Sequence, residues 1–80
     1  MASTRRRVRF TGNLYDENGN QVAECSGWAE EVTLPGVDTN YIGPRIERAS
    51  KDLPPGNYTL VAFGKSYPYR YINGHWLAPS

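Results

Sequence analysis

The chain is poor in the residues that carry most protein chemistry: of its 80 residues one is cysteine, one histidine and one methionine. A single thiol excludes an internal disulfide, which argues against a small secreted scaffold and for a reducing compartment. One cysteine and one histidine cannot supply a structural zinc sphere. A thiol protease or transferase would have to use both Cys25 and His75. A buried Cys25 acting as a small hydrophobe is the simpler reading. No stretch approaches the roughly 20 apolar residues of a membrane span. The opening MASTRRRVRF has arginines but no apolar run of signal-peptide length behind them. A cytoplasmic protein without cofactor, metal or membrane contact is therefore expected.

Acidic residues are missing from both ends. Residues 1–15 hold Arg5, Arg6, Arg7 and Arg9 and no acid, and residues 53–80 hold Lys65 and Arg70 and no acid. All eight acids lie in 16–52, where only Arg45, Arg48 and Lys51 oppose them. The net charge of +1 thus conceals a chain that is basic, acidic and basic in turn, an asymmetry that can orient a partner. What the chain has in quantity is aromatic bulk: six tyrosines, two tryptophans and two phenylalanines. That is enough for a thin core in one small domain and too much for a disordered chain.

The patterning is that of strands. Leu53 to Gly64, LPPGNYTLVAFG, opens with Pro54-Pro55-Gly56, read as a turn with Gly56 at positive φ. Tyr58, Leu60 and Ala62 then alternate with Thr59, Val61 and Phe63, both sets largely apolar. The spacing predicts a central strand covered on both faces. Upstream, Val8, Phe10 and Leu14 alternate with Arg7, Arg9, Thr11, Asn13 and Tyr15, a half-buried strand in which Gly12 marks a bulge or a close backbone approach. Asp16-Glu17-Asn18-Gly19-Asn20 is a hairpin turn. The return strand, Gln21 to Leu34, changes parity, and a bulge at Ser26-Gly27 would bring Cys25 and Trp28 to one face. From Gly36 to Asp52 turn residues break the pattern, and Pro44 to Ser50 reads as a helical turn. Tyr67 to Ile72 is a strand whose Pro68 places it at an edge or at the strand's beginning. Asn73-Gly74 then turns it into the short His75-Trp76-Leu77.

Two segments, GNLYDENGNQVA (Gly12 to Ala23) and DLPPGNYTLVAFGKSY (Asp52 to Tyr67), resemble the opening strand-turn-strand and the penultimate strand of transthyretin-like domains of the carboxypeptidase-regulatory type. The resemblance covers about a third of the chain. It implies an all-β sandwich and carries over no active site. The expected architecture is a small antiparallel β-sandwich or barrel of five or six short strands, residues 8–80, preceded by a flexible basic arm, residues 1–7.

Gly64-Lys65-Ser66 lacks the earlier glycine of a phosphate loop, since Thr59 stands there, and no helix follows. Adjacent acid pairs, Asp16-Glu17 and Glu30-Glu31, are solvated in a turn or point to opposite faces of a strand. Two features stand above this background. Arg5-Arg6-Arg7-Val8-Arg9 can grip phosphates or an acidic protein face, or be a solvated terminus. Tyr67, Tyr69 and Tyr71, with Trp76 after them, share one parity, a spacing of about 6.6 Å usable for base stacking or a protein hot spot, or for roofing a small core. With Lys65 and Arg70 they form the candidate partner surface. The leading reading is a non-catalytic protein-binding module, an accessory or inhibitory protein engaging a larger partner. The alternative is a small nucleic-acid-binding β domain, disfavoured because eight acids leave the net charge near zero. Homo-oligomerisation stays open.

Overall fold

Alternation decides the architecture. The computed structural model, which describes residues 4–36 and 39–78, is all-β, with six strands and no helix among those residues. The strands are β1 (Thr4–Tyr15), β2 (Gln21–Thr33), β3 (Asn40–Ala49), β4 (Gly56–Ala62), β5 (Lys65–Ile72) and β6 (His75–Leu77). They form one antiparallel sheet in the order β3-β2-β1-β4-β5-β6. The sheet curls until β3 faces β5, where the Tyr69 hydroxyl donates a hydrogen bond to the Pro44 carbonyl. The result is a nearly closed barrel with its open seam between β3 and β5–β6.

The side chains explain the curl. The inner face of β2 is made of small residues, Ala23, Cys25, Gly27 and Ala29, all buried. The opposite wall, β4 and β5, presents the large ones: Tyr58, Leu60 and Tyr69. A wall of small residues lets the strands bend tightly, and aromatics from across the barrel fill the space. Leu14 and Leu60, cross-strand partners on β1 and β4, are fully buried at its centre.

Each hairpin has a chemical cause. Asp16 Oδ1 accepts the backbone N–H groups of Asn18 and Asn20, both at 2.9 Å, and Gly19 takes φ +80°. Asn73-Gly74 turns β5 into β6 with φ of 49° and 78°. The third tight turn was not predicted: Phe63-Gly64 joins β4 to β5 with φ of 56° and 70°. A bulky residue at positive φ is strained. Phe63 is held there by its ring, which stacks on Tyr41 at 4.1 Å and packs against Phe10 at 5.4 Å.

Several expectations need correction. Pro44 to Ser50 is no helical turn: β3 runs through Ala49, with Pro44 at a register irregularity of this edge strand, where its missing N–H costs little. The irregularity at Ser26/Gly27 lies in the β2–β3 pairing, where Glu47 is the extra residue of β3. The β1–β2 ladder runs straight past it, so Cys25 and Trp28 face opposite ways. Gly12 is a close approach rather than a bulge, since an added Cβ would meet the Val61 carbonyl oxygen at 2.8 Å. Central β4 is covered on one face only, because the domain has a single sheet. Thr59 and Val61 stay half-exposed. Thr4–Arg7, expected as a free arm, are strand and pair with Glu30–Thr33; residues 1–3 lie outside those described.

Gly56 begins β4 opposite Tyr71 and does not take positive φ. The nearest atom to an added Cβ there is a Tyr58 ring carbon at 4.0 Å, ordinary van der Waals contact. Gly56→Val is therefore expected to leave stability within about 0.5 kcal/mol of the wild type, the range of substitutions that break no special feature. Thermal melts would check this, and a large drop would reinstate a strained turn.

Candidate functional site

Two surfaces gather the residues singled out above, and they are distinct. The first is the outer face of β1–β2–β3. The hairpin register, once set by Asn18-Gly19, places Arg9 opposite Trp28 and Arg7 opposite Glu30. Arg5, Arg7 and Arg9 point to the outer face, and Arg6 to the other. The Arg7 and Arg9 guanidinium groups lie 4.7 and 5.0 Å from the centre of the half-buried Trp28 ring. The indole Nε1–H donates to Glu47 Oε2 at 2.7 Å, and Glu47 Oε1 is 3.8 Å from Arg9. Glu47 reaches this position because it is the extra residue of the β3 irregularity, which re-aims its side chain. Arg5 stands 3.6 Å from Glu30 and Arg6 2.8 Å from Glu31.

These contacts are individually weak. An exposed cation–π contact contributes about 0.5–1 kcal/mol and an exposed ion pair about 0–1 kcal/mol. Their effect is to hold the arginine row in place while leaving it exposed. Trp28 and Glu47 were not candidates from sequence. The signal for Trp28 was present, since counting back from the Asn-Gly turn sets it against Arg9. Nothing local announced Glu47.

The second surface is the seam, a cleft of about 960 Å³ bounded by β3 on one side and β5–β6 on the other. Tyr67, Tyr69, Tyr71 and Trp76 all line it. Tyr69 is 7% exposed, which makes it a core residue and not an anchor for a partner. Tyr67 and Tyr71 are half-buried, and Trp76 packs against Tyr71 at 4.4 Å and Tyr58 at 5.6 Å. The tyrosine parity thus roofs the core. Lys65 and Arg70 are exposed on β5 and do not line the seam cleft.

The thiol and the imidazole are apart. Cys25 lines a depression beside Gly12 and Ala49, whereas exposed His75 lines the seam. Burial pushes the Cys25 thiol from 9.0 up to about 11, partly offset by a backbone hydrogen bond from Gly12. The same desolvation raises Tyr69, whose neutral hydroxyl donates to Pro44. It also raises Tyr58, whose hydroxyl donates to the Pro54 carbonyl at 2.6 Å. Among the described residues no three of His, Cys, Asp or Glu cluster to hold a metal.

These shifts set an alkaline limit. Each group is raised in the folded state, so its contribution is fully present below the unfolded value and lost as pH rises through the folded one. For Cys25 that window runs from 9.0 to about 11, and for the tyrosines it begins at 10.0. Melting temperature is expected to hold level to about pH 9 and to fall above it, with Cys25→Ala removing the earlier part of the fall. Native Cys25 should also react slowly with thiol reagents. Level stability through pH 11, or rapid labelling, would contradict the assignment.

Comparison with protein-family models, with curated proteins and with solved structures finds no match for the chain.

Proposed function

We propose that this chain is a non-catalytic protein-binding module that engages its partner through β1 and the arginine–Trp28 face. The observation that carries this reading is the row Arg5, Arg7 and Arg9, displayed on an exposed strand and held by Trp28, Glu30 and Glu47. A preorganised row of guanidinium groups binds planar carboxylates with little loss of side-chain freedom. Burial of the only thiol, away from the only imidazole, supports a role without covalent catalysis.

Nucleic-acid binding is the second reading, favoured by the same arginines. It is weakened by two features: eight acids leave the net charge at only +1, and Tyr69 is buried with Tyr67 and Tyr71 half-buried, so the rings that would stack bases are largely taken up by the core. Titration of single-stranded oligonucleotides across salt concentrations separates the two. A phosphate-gripping arm would give a slope near −0.7 per contact, about −3 for four arginines, abolished when Arg5, Arg6, Arg7 and Arg9 become alanine. The expected result is weak oligonucleotide binding with a shallow slope. Tight binding at physiological salt, lost with the arginines, would make the protein-binding reading wrong.

A further inference from the structure

β1 is about 40 Å long and β4 about 23 Å, from their residue counts and the rise of a strand. Their pairing stops at Asn13↔Val61. Beyond it β4 ends at Ala62 and the Phe63-Gly64 turn follows, with the Phe63 ring packed against Phe10 and Tyr41. From Thr4 to Thr11, then, among the described residues one edge of β1 has no strand beside it and no loop backbone hydrogen bond reaches it. The edges at the seam are blunted, and the stretch of β5 that β6 leaves uncovered, Lys65–Tyr69, carries Pro68. β3 carries Pro44 and two register irregularities, and β6 is three residues long. The β1 edge has no proline, and its register with β2 is unbroken from Thr4 to Leu14. Arginine is its only guard.

Resting on the reading of the chain as a protein-binding module, we propose that this edge receives its partner by strand addition, and that the partner segment is extended and acidic. Its acids would alternate with apolar residues. In an antiparallel pair, residues directly opposite share a face. Residues opposite Arg5, Arg7 and Arg9 would therefore meet three guanidinium groups, and acids are the match. Residues opposite Val8 and Phe10 would face the half-buried Val8 and the Phe10–Phe63–Tyr41 cluster, where apolar side chains fit. The same charge argues against a second copy of this chain as occupant. Antiparallel pairing of two β1 strands sets Arg7 opposite Arg7 or Arg9, which is repulsive. Main-chain hydrogen bonds supply the affinity in this mode, and the alternate side chains the specificity.

The probe is a synthetic peptide of strictly alternating Glu and Val, long enough to span Arg5–Thr11. Its controls are a peptide of the same composition with the glutamates blocked at one end, and an alternating peptide N-methylated on one strand edge. Binding is followed by titration, and amide hydrogen exchange of the full chain reads which backbone groups become protected. The expected result is binding of the alternating peptide with slowed exchange at alternate amides of Arg5–Thr11. N-methylation should weaken it by about tenfold for each main-chain bond removed, and the blocked peptide should bind more weakly. Arg7→Glu with Arg9→Glu should lose the Glu-Val peptide and gain a Lys-Val one, a gain that a merely unfolded variant cannot produce. Equal binding of the N-methylated peptide without protection of β1 would overturn strand addition while leaving the protein-binding reading intact. Absence of binding by the alternating peptide would also overturn the proposal. If oligonucleotides then bind tightly at physiological salt, the underlying reading fails as well.

Discussion

Gly27→Ala is expected to be the most damaging single substitution in the chain. Gly27 lies on the inner face of β2 opposite Ile46, at the irregularity of the β2–β3 pairing. A Cβ built there would overlap the Arg45 carbonyl oxygen, with the carbonyl carbon at 2.8 Å and the Glu47 nitrogen at 3.1 Å. These are backbone atoms of a paired strand and cannot rotate away as a side-chain tip would. The only relief is to part β2 from β3 at the irregularity that aims Glu47 at Trp28. A cost of about 3–5 kcal/mol follows, at the upper end of overpacking effects. For a chain of this length total stability is about 4–12 kcal/mol, so the variant should lose between about a quarter and the whole of it. Gly12→Ala should cost less, because its overlap is smaller: the nearest backbone atom, the Val61 carbonyl oxygen, is 2.8 Å from the added Cβ, and the next contacts are side-chain atoms of Leu60 and Ala62. Circular dichroism melts of Gly27→Ala, Gly12→Ala and Gly56→Val should rank in that order of damage. A Gly27→Ala protein melting near the wild-type temperature would show that β2 and β3 are not so close.

The second large effect is expected at Leu60. Leu14 and Leu60 are fully buried and directly paired across β1 and β4. They join strands whose mutual hydrogen bonding covers only Asn13–Tyr15 and Thr59–Val61. Side-chain packing must therefore supply much of what ties the β1–β2–β3 ribbon to β4–β5–β6. Leu60→Ala should destabilise by about 2–5 kcal/mol, transfer and cavity terms together. Leu14→Ala should fall in the same range. The double variant should depart from additivity by about 0.5–3 kcal/mol, since both changes open one cavity. Chemical denaturation of the four proteins measures the cycle. Strict additivity would mean that the two leucines do not share a core.

The alternation of Phe10 and Leu14, and of Tyr58, Leu60 and Ala62, made these positions readable as core before any coordinates. So did the turns: Asp16 to Asn20 and Asn73-Gly74 have side chains and backbone freedom that favour one local geometry whatever lies around them. Cys25 was legible as a buried small hydrophobe for a similar reason, there being little else for a lone thiol to do. Local chemistry suffices where the determining interactions are local or periodic.

Where contacts from distant strands decide, it fails. Gly43-Pro44 reads as a helix start or loop; it becomes strand because β2 offers an edge and Tyr69 offers a hydroxyl to the Pro44 carbonyl, 25 residues away. Phe63 has no business in a tight turn by its own φ preference. Stacking on Tyr41, 22 positions earlier, keeps it there. The tyrosines of β5 could equally have faced solvent or core from their parity alone. The curl of the sheet, made possible by the small residues of β2, turned them inward. The same tertiary event separated the two halves of the candidate surface, leaving the arginine row exposed on β1 and drawing its expected aromatic companions to the seam, Tyr69 buried and Tyr67, Tyr71 and Trp76 half-buried. Trp28 took their place beside the arginines, because register, which is a property of two strands and not of one, put it there.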